Sequence, residues 1–395
     1  MEKSAQDIVI VAARRTPIGS LLGCLSQYTA VDLGTIAVQA LLSEDDLLHQ
    51  KIQDVYMGCV LTAGLGQAPA RQVALNAGLD AAVRCMTINK VCGSGMATVM
   101  MAYDQLRLGQ ATAIVAGGME SMSQAPFIIP GARTGFKYGH QKMIDHMAYD
   151  GLENAYDHQA MGVFAEQCAR QYRFSREAQD EYAVESVRRA RLAIEQGSFK
   201  SEIVEFENAK ANLINTDEQP GRCKPEKVAK LRPAFVKESG TVTAANSSSI
   251  SDGAAAVLLC TRAWAEQQQM QPLAKLVGHA SYAKAPDEFT TAPIGAMQAL
   301  LSQLDWHVSD VDLFEINEAF AVVPMAAIQD MKLDVTKVNV HGGACAMGHP
   351  IGASGTRILV TLLYALHQYS AQRGMASLCI GGGEATAIAI EVEEN

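Results

Sequence analysis

The sequence contains four short landmarks that each occur twice, in the same order and at nearly the same separation. The offsets between the two occurrences lie between 256 and 264 residues. Such a constant separation predicts an internal duplication, with two copies of one structural unit. The pairs are Gln39-Ala-Leu-Leu42 with Gln298-Ala-Leu-Leu301, Ile52-x-Asp54-Val55 with Val308-x-Asp310-Val311, Ser94-Gly95 with Ser354-Gly355, and Gly117-Gly-Met-Glu120 with Gly381-Gly-Gly-Glu384.

The first copy alternates between apolar runs typical of buried strands and segments with helical spacing. This alternation is typical of an α/β sheet, in which helices connect successive strands. We therefore predict an α/β fold in both copies. The expected strands are 8–12, 54–60, 85–89 and 113–120, and the expected helices are 31–42, 68–78 and 96–103.

A segment rich in charged and turn-forming residues separates the two copies. Amphipathic helices are expected within it at 165–171 and 176–196. We interpret residues 121–249 as a loop domain inserted into the first copy. The first half then comprises residues 1–120 and 250–271, resuming with a buried strand at 252–260. The second half comprises residues 272–395.

The composition excludes several classes of protein. The formal net charge is −10 and no Lys/Arg-rich run is present, so we expect no nucleic-acid partner. No apolar run reaches membrane-spanning length, and the first residues lack the apolar core of a signal peptide. The nine cysteines form no C-x-x-C pair, which favours a reduced, cytoplasmic location.

A candidate nucleophile, Cys92, lies in the segment Asn89-Lys-Val-Cys-Gly-Ser-Gly-Met96. The next residues are small or apolar on nearly every face, which predicts a buried helix. Cys92 would then sit at a helix N-terminus, where the dipole and free N–H groups lower the pKa of a thiol. The alternative is a structural cysteine in a tight turn.

Three further candidates lie in the second copy. His349 precedes the helix equivalent to the one after Cys92, so a pseudo-twofold packing would bring the two together as an activated pair. The alternatives are a loop histidine for His349, a packing residue for Cys379, and a helix cap for Asn317. Cys345 and His349 are four residues apart, but no second ligand pair stands nearby, so we expect no metal.

Together these segments closely resemble the thiolase family over the whole chain, in order and in spacing. The resemblance implies two βαβαβαββ halves that form a five-layered α-β-α-β-α core, with the loop domain over the active site. The matching motifs are Asn89-Lys-Val-Cys-Gly-Ser-Gly-Met96, Asn317-Glu-Ala-Phe320, Gly348-His-Pro-Ile-Gly-Ala-Ser-Gly355 and Cys379-Ile-Gly-Gly-Gly383.

The resemblance also implies the chemistry, an acetyl-CoA C-acetyltransferase reaction that joins two acetyl thioesters reversibly. By position, Cys92 resembles the acyl-accepting nucleophile, His349 its base, and Cys379 the acid/base for the second acetyl group. Asn317 resembles the residue that holds a catalytic water. The N–H groups of Cys92 and Gly381 resemble one oxyanion hole, and His349 with the Asn317-bound water resembles the other.

Coenzyme A is expected as part of substrate and product, with no permanently bound cofactor. The resemblance places Ser248 at the pantetheine-contacting position, with Ser247 as the neighbouring alternative. It places Phe235 and Phe320 in the pantetheine tunnel, and Met161 at a position retained in the loop domain. The basic loop from Arg222 to Lys230 is a candidate for the nucleotide phosphates. The resemblance further implies a dimer through the core and a homotetramer through the loop domain.

One departure from the family pattern bears on substrate length. The segment Asp157-His-Gln-Ala-Met-Gly162 has Ala160 where short-chain members carry a histidine that contacts coenzyme A, and His158 stands two residues earlier. A degradative 3-ketoacyl-CoA thiolase acting on longer chains is therefore the main alternative. A decarboxylating ketosynthase would carry histidine in place of Cys379. A non-catalytic acyl-CoA-binding relative would have lost Cys92, His349 or Cys379. The residues without the resemblance suggest a cysteine hydrolase.

Overall fold

The computed structural model describes residues 4–43, 48–208 and 210–393. Its helices within these ranges include a 21-residue helix of the inserted segment and two buried helices at the centre of the molecule. In chain order they are α1 (Ala30–Leu42), α2 (Pro69–Asn76), α3 (Ser94–Arg107), α4 (Met161–Tyr172), α5 (Arg176–Gln196), α6 (Glu218–Arg222), α7 (Arg262–Gln267), α8 (Ala292–Leu304), α9 (Val322–Met331), α10 (Ala344–Met347) and α11 (Ser354–Gln368).

The strands form one ten-stranded mixed sheet and two short hairpins. In chain order they are β1 (Ile8–Arg15), β2 (Gly19–Ser20), β3 (Asp54–Gly58), β4 (Arg84–Ile88), β5 (Ala113–Ser121), β6 (Phe127–Ile128), β7 (Ile144–Asp145), β8 (Phe206–Glu207), β9 (Leu213–Ile214), β10 (Ser251–Thr261), β11 (Ala274–Ala283), β12 (Leu313–Ile316), β13 (Arg373–Ile380) and β14 (Glu384–Glu391).

The two halves have the same strand order and the same pairing directions. In the first half β4, β3 and β5 are parallel neighbours, and β10 and then β1 follow antiparallel. In the second half a parallel bridge from Val338 to Phe314 leads to β12 and β13, and β14 and then β11 follow antiparallel. This equivalence confirms the duplication predicted from the repeated landmarks.

Three buried clusters account for the layers. One lies between the first-half strands and helices α1 and α2, and another between the second-half strands and helices α8 and α9. The central cluster contains α3 and α11 with the inner faces of both halves. The chain therefore has the five-layered α-β-α-β-α thiolase fold, with its two most buried helices in the middle.

The predicted elements are present, and their ends differ by a few residues. The strand expected at 54–60 ends at Gly58, and the helix expected from residue 165 begins at Met161. This earlier start carries no sequence signal, because the residue before it, Ala160, has no side chain that can cap the helix. The boundaries of the loop domain, 121 and 249, stay a prediction, although β10 does lie between β5 and β1. Within the described ranges, no helix combines the length and apolar character that a membrane crossing requires.

Helices α3 and α11 approach closely because each places glycine at the contact. A side chain at Gly95 would meet the Thr356 hydroxyl at 2.8 Å and the Gly352 carbonyl at 3.0 Å. A side chain at Gly355 would overlap the backbone nitrogen of Met96. The Thr356 hydroxyl also donates a 2.8 Å hydrogen bond to the Gly95 carbonyl. The N-terminal turns of both helices therefore meet at the centre of the molecule.

We predict that Gly355→Ala lowers the free energy of unfolding by about 1–3 kcal/mol, because the methyl group meets backbone that cannot yield. The measurement is urea unfolding followed by circular dichroism at fixed protein concentration. Gly221→Ala is the matched control, since nothing lies within 4 Å of its added methyl group. Equal unfolding midpoints for the two variants would contradict the close approach of α3 and α11.

Candidate active site

Cys92 lies in a tight turn between β4 and α3 that is fixed by its neighbours. Val91 adopts a φ of 48°, which is strained for a β-branched residue. Its N–H donates to the Asn89 side-chain oxygen at 2.9 Å. The N–H of Lys90 donates to the Ser94 hydroxyl at 2.8 Å. Backbone strain held by such local contacts is common at functional sites, and here it aims the thiol at the helix entrance.

The pKa of Cys92 differs from the sequence-based expectation. Its position before α3 is as predicted, but burial raises its pKa to about 11 rather than lowering it. The N–H groups of Gly381 and of Cys92 itself lower the pKa, and the carboxyl group of Glu120 raises it. Because desolvation outweighs the N–H groups, the expected depressed pKa was wrong. The thiol therefore needs a base to remove its proton.

His349 is buried and held in one orientation. Its backbone N–H donates to the Ser249 carbonyl at 3.0 Å, and its Nδ1 lies 2.5 Å from the Ser354 hydroxyl oxygen. That hydroxyl donates its single proton to the Pro350 carbonyl at 2.9 Å, so it accepts from Nδ1–H of His349. The network therefore assigns the proton to Nδ1 and leaves the Nε2 lone pair available as a base.

The environment keeps this imidazole neutral. Burial, and to a smaller extent the guanidinium of Arg357, together lower the pKa of His349 to about 3. A neutral imidazole is the form that accepts a proton. The Nε2 atom faces Asn317, and the role of His349 as a base stays a prediction beside the alternative of a hydrogen-bonded loop histidine.

Asn317 is buried, and its side-chain amide faces His349. Its Nδ2 lies 3.5 Å from the Nε2 of His349, the limit of a hydrogen bond. Its Oδ1 has no partner among the described residues. The alternative of a helix cap is wrong, since the following helix begins at Val322 and its cap is Ala321. The role of holding a water molecule stays a prediction.

Cys379 is fully buried near the end of β13, next to a glycine turn. Burial raises its pKa well above the usual value, and the nearby thiol of Cys92 raises it further. The N–H of Gly381, two residues after Cys379, points at the sulfur of Cys92, which places the two cysteines beside each other. Gly382 and Gly383 have φ values of 94° and 93°, which only glycine adopts readily. An ion pair between Lys90 and Glu384 fixes this turn beside the Cys92 loop.

An apolar wall adjoins the two thiols. Met161 packs on the turn at Gly381, where a side chain would lie 3.6 Å from its methyl group. The rings of Phe235 and Phe320 form an edge-to-face pair with centroids 6.0 Å apart. Phe235 also packs so tightly on Gly162 that no side chain would fit there. The three predicted apolar contacts are thus brought to one side of the site.

The structure distinguishes the two candidate serines. The Ser247 hydroxyl is buried and donates to the Thr243 carbonyl at 2.7 Å. Ser248 is partly exposed, and its hydroxyl and N–H both donate to the Ala319 carbonyl at 3.0 Å. Ser248 is therefore the one available to a ligand, as the resemblance suggested. Its contact with coenzyme A stays a prediction.

Two predicted features lie apart from this cluster. Arg222 is exposed and pairs with Glu218 at 2.6 Å, so the structure shows it with a carboxylate and not with the thiols. His158 does not take the place of the family histidine at Ala160. Its ring stacks on Tyr149 with centroids 5.2 Å apart. Among the described residues, no group of three or more His, Cys, Asp or Glu side chains is arranged to hold a metal.

Two residues that the structure places in the site had no role in the sequence-based prediction. Ser354 orients His349, and Glu120 accepts hydrogen bonds from the N–H groups of Val60, Leu61 and Gly352 at 2.9–3.1 Å. Burial raises the pKa of Glu120 to about 7. Both residues were visible in the sequence as landmarks of the duplication, which was the only signal available for them.

Comparisons with known proteins agree with this geometry. The family model described as "Thiolase, N-terminal domain" matches residues 8–263, and "Thiolase, C-terminal domain" matches residues 270–392. The acetyl-CoA acetyltransferase of Cupriavidus necator is 46% identical over 390 residues, covering 98% of this chain and 99% of the relative. The acetyl-CoA acetyltransferase of Saccharomyces cerevisiae is 44% identical over 395 residues, covering 98% and 99%.

A solved structure is also similar, the Acat5 thiolase from Ascaris suum in complex with coenzyme A. It superposes with a TM-score of 0.94 at 41% identity, covering 98% of this chain and 100% of that one. The fold, with its two equivalent halves and a cysteine–histidine–cysteine site between them, defines a thiolase-type enzyme. The chain belongs to the thiolase family and is an acyltransferase.

We predict that Ser354→Ala slows alkylation of Cys92 by iodoacetamide by about tenfold or more, because His349 loses the acceptor that fixes its tautomer. Mass spectrometry of the Cys92 peptide gives the rate. Ser249→Ala is the matched control, because its hydroxyl contacts the Ser251 hydroxyl while its carbonyl still holds the His349 N–H. An unchanged rate in Ser354→Ala would rule out the proposed orientation of the imidazole.

Proposed function

We propose that this protein is an acetyl-CoA C-acetyltransferase. It condenses two acetyl-CoA molecules reversibly to acetoacetyl-CoA and coenzyme A, through an acyl intermediate on Cys92. The observation that supports this most directly is the placement of two thiols side by side: Cys379 is buried, and Gly381, two residues later, points its N–H at the sulfur of the partly buried Cys92. A hydrolase needs one nucleophile, whereas carbon–carbon bond formation needs an acyl carrier and a second base.

The first half-reaction loads Cys92. His349 Nε2 takes the thiol proton, and the sulfur attacks the acetyl carbonyl, forming a new C–S bond. The bond to coenzyme A breaks, and the departing thiolate takes the proton of Cys379. Coenzyme A thus leaves as a thiol, and Cys379 becomes a thiolate. Exchange of one thioester for another costs little free energy, so this step is readily reversible.

The second half-reaction uses the thiolate left on Cys379. It removes a proton from the methyl group of the second acetyl-CoA, and the carbanion attacks the acyl carbonyl on Cys92. A C–C bond forms, the C–S bond to Cys92 breaks, and the sulfur recovers its proton from His349. Burial raises the pKa of Cys379 well above that of an ordinary thiol, so its thiolate is a stronger base for a weakly acidic methyl proton.

Developing negative charge requires donors on both acyl groups. The N–H groups of Cys92 and Gly381 already point at the sulfur of Cys92. They are therefore placed to donate hydrogen bonds to the carbonyl oxygen of an acyl group carried by that sulfur. Once protonated, Nε2 of His349 becomes a donor for the enolate oxygen of the second acetyl group. Asn317 lies beside it and supplies the site for the expected water.

Coenzyme A is substrate and product here, and no permanent cofactor is needed for these steps. We assign the pantetheine path to Ser248, Phe235, Phe320 and Met161, because they line one side of the thiol pair. Arg222 is retained as the candidate for the nucleotide phosphates. Support for acyl-CoA as the small-molecule partner comes from the Ascaris suum thiolase, which was solved with coenzyme A.

A homotetramer in the cytoplasm is part of this proposal. The hairpin of β6 and β7 in the inserted segment exposes large apolar side chains, which favour burial against another copy of the chain. All nine cysteines are free thiols in the described residues, and this supports a reducing compartment. The apolar side chains are Phe127, Ile129, Phe136, Tyr138 and Met143.

We predict that Cys379→Ala still forms an acetyl adduct on Cys92, because protonated His349 can supply the proton that coenzyme A takes on leaving. Condensation falls by about 100-fold or more, because the second base is missing. Labelled acetyl-CoA followed by acid quenching and peptide mass spectrometry measures the adduct. A coupled assay of acetoacetyl-CoA measures condensation. Cys168→Ala is the matched control, since it removes another buried thiol of the same apolar cluster.

The two readouts separate the roles of the two cysteines. Label on a residue other than Cys92 in the unmodified enzyme would refute the nucleophile assignment. Normal condensation by Cys379→Ala would refute the acid/base assignment while leaving the nucleophile in place. Loss of both activities in Cys168→Ala would show that truncating any buried thiol here disturbs the site.

Acetyl specificity is the part of the proposal that the alternative, a degradative thiolase for longer chains, challenges. We predict that the rate of thiolysis falls by about tenfold or more between 3-ketoacyl chains of four and six carbons, since added methylenes must displace packed side chains. The measurement is kcat/KM for chains of even length. A flat or rising profile would favour the longer-chain alternative, and Ala160→His tests whether the missing histidine contributes.

A further inference from the structure

Two neighbouring polar contacts join the region of strand β12 to the region of helix α11. Asn317 directly follows β12 and contacts His349. Two residues earlier, Glu315 lies 3.7 Å from the guanidinium of Arg357. Residues two apart in extended chain share a face, and the Asn317 N–H continues the ladder by donating to the Ser377 carbonyl. The ion pair is therefore the neighbour of the catalytic pair.

The helix gives the same arrangement from the other side. The Ser354 hydroxyl accepts a hydrogen bond from Nδ1–H of His349, and Arg357 follows three residues later in the same helix. Side chains three apart on a helix are neighbours on its surface, with Cβ atoms roughly 5–6 Å apart. Arg357 therefore lies about one turn further along α11 than Ser354, the residue that orients the imidazole.

Arg357 is unusual because its charge is buried and poorly compensated. It is 2% exposed, and none of its three guanidinium nitrogens has a hydrogen-bond partner among the described residues. Its ion-pair partner, Glu315, is also 2% exposed and has one oxygen without a partner there. Burial lowers the pKa of Arg357 and raises that of Glu315 to about 8, so the carboxylate compensates the cation incompletely.

We propose that the Arg357 guanidinium, placed by Glu315, keeps the His349 imidazole unprotonated in the resting enzyme. Arg357 is a positioning residue for the proton and touches no substrate. The inference rests on the proposed function, in which His349 is the base for Cys92. It goes beyond that function by naming the charge that sets the base.

Other charged groups face this pair, and they are largely paired with one another. Arg15 binds Glu202 at 2.6 Å and Asp217 at 2.7 Å. Arg189 pairs with Glu185 at 2.8 Å. The carboxyl group of Glu318 accepts hydrogen bonds from a tyrosine, a serine, an asparagine and a backbone N–H. The charged groups facing Glu315 or Arg357 are Arg15, Arg189, Glu202, Asp217 and Glu318.

Arg357 is the charged group that acts on His349 itself, beside the desolvation that lowers the imidazole pKa. The other titratable groups of the site are the thiols of Cys92 and Cys379 and the carboxyl group of Glu120, and burial raises the pKa of each, so both thiols are neutral before reaction. A nearby cation disfavours the imidazolium form. His349 is therefore ready to accept the Cys92 proton and, once charged, is driven to return it. This makes it a shuttle rather than a trap for the proton.

Four variants of the full chain test this by charge rather than by shape. Arg357→Lys and Glu315→Gln retain the buried cation. Arg357→Met and the double variant Arg357→Met/Glu315→Gln remove it. The double variant leaves no unpaired buried charge, so it folds even where Arg357→Met alone does not. The readout is the rate of Cys92 alkylation by iodoacetamide from about pH 3 to 9, measured on the Cys92 peptide.

The direction of the expected shift in the pH profile follows from the protonation state of His349. With the cation present, the imidazole protonates only near the acid end of this range, because its pKa is about 3, so reactivity persists below pH 5. Without it, the imidazole protonates as the pH falls, and it can no longer accept the thiol proton. We expect the acid-side midpoint in the two cation-lacking variants to lie at least about one pH unit higher than in the two cation-retaining ones.

The grouping of the variants decides the outcome. Equal midpoints in Glu315→Gln and the double variant would overturn the inference, even if all rates were lower than in the unmodified enzyme. A merely structural role predicts lower rates with unmoved midpoints. Acetyl labelling of unmodified Cys92 is measured in parallel, so that failure of the proposed function is seen separately from failure of the charge assignment.

Discussion

The close packing of α3 against α11 is the constraint on which the site depends. Both helices bring a glycine to the contact, and the Thr356 hydroxyl donates to the Gly95 carbonyl between them. This contact places the turn that carries Cys92 and the turn that carries His349 at the same point between the two halves of the molecule. It also excludes water from that point, because the central cluster surrounds both helices with apolar side chains. The packing of α3 against α11 therefore determines both where Cys92 and His349 lie and how little water surrounds them.

Desolvation then determines how protons move in the site. Burial raises the pKa of both thiols and lowers that of the imidazole, so the resting groups are all neutral. A site of this kind does not store a thiolate. It forms one transiently, when a neutral base accepts the proton and N–H dipoles meet the new charge. The sequence argument for a depressed thiol pKa considered the helix dipole alone and left out the larger cost of burial.

The fold and the three reactive side chains were predictable because they depend on local patterns and on a repeat. Alternating apolar segments predicted the strands, and the offset between Ser94 and Ser354 predicted that two helix entrances are equivalent. The carboxyl groups of Glu120 and Glu315 and the guanidinium of Arg357 were not assigned roles, because their function depends on contacts across the two halves. Such contacts have no sequence spacing of their own. Arg222 is a different case, because its partner Glu218 lies four residues earlier on the same helix, a spacing at which opposite charges are neighbours.

The duplication also explains how the halves are locked in register at the site. Glu120 and Glu384 occupy the last position of the same repeated landmark, at the ends of equivalent segments. Glu120, from the first half, accepts the N–H of Gly352 on the turn that carries His349. Glu384, from the second half, pairs with Lys90 on the turn that carries Cys92. Each half thus holds the catalytic turn of the other, although one contact is fully buried and the other partly exposed. The repeated residue therefore has a reciprocal structural role in the two halves, and the two turns it holds carry the proposed nucleophile, Cys92, and the proposed base, His349.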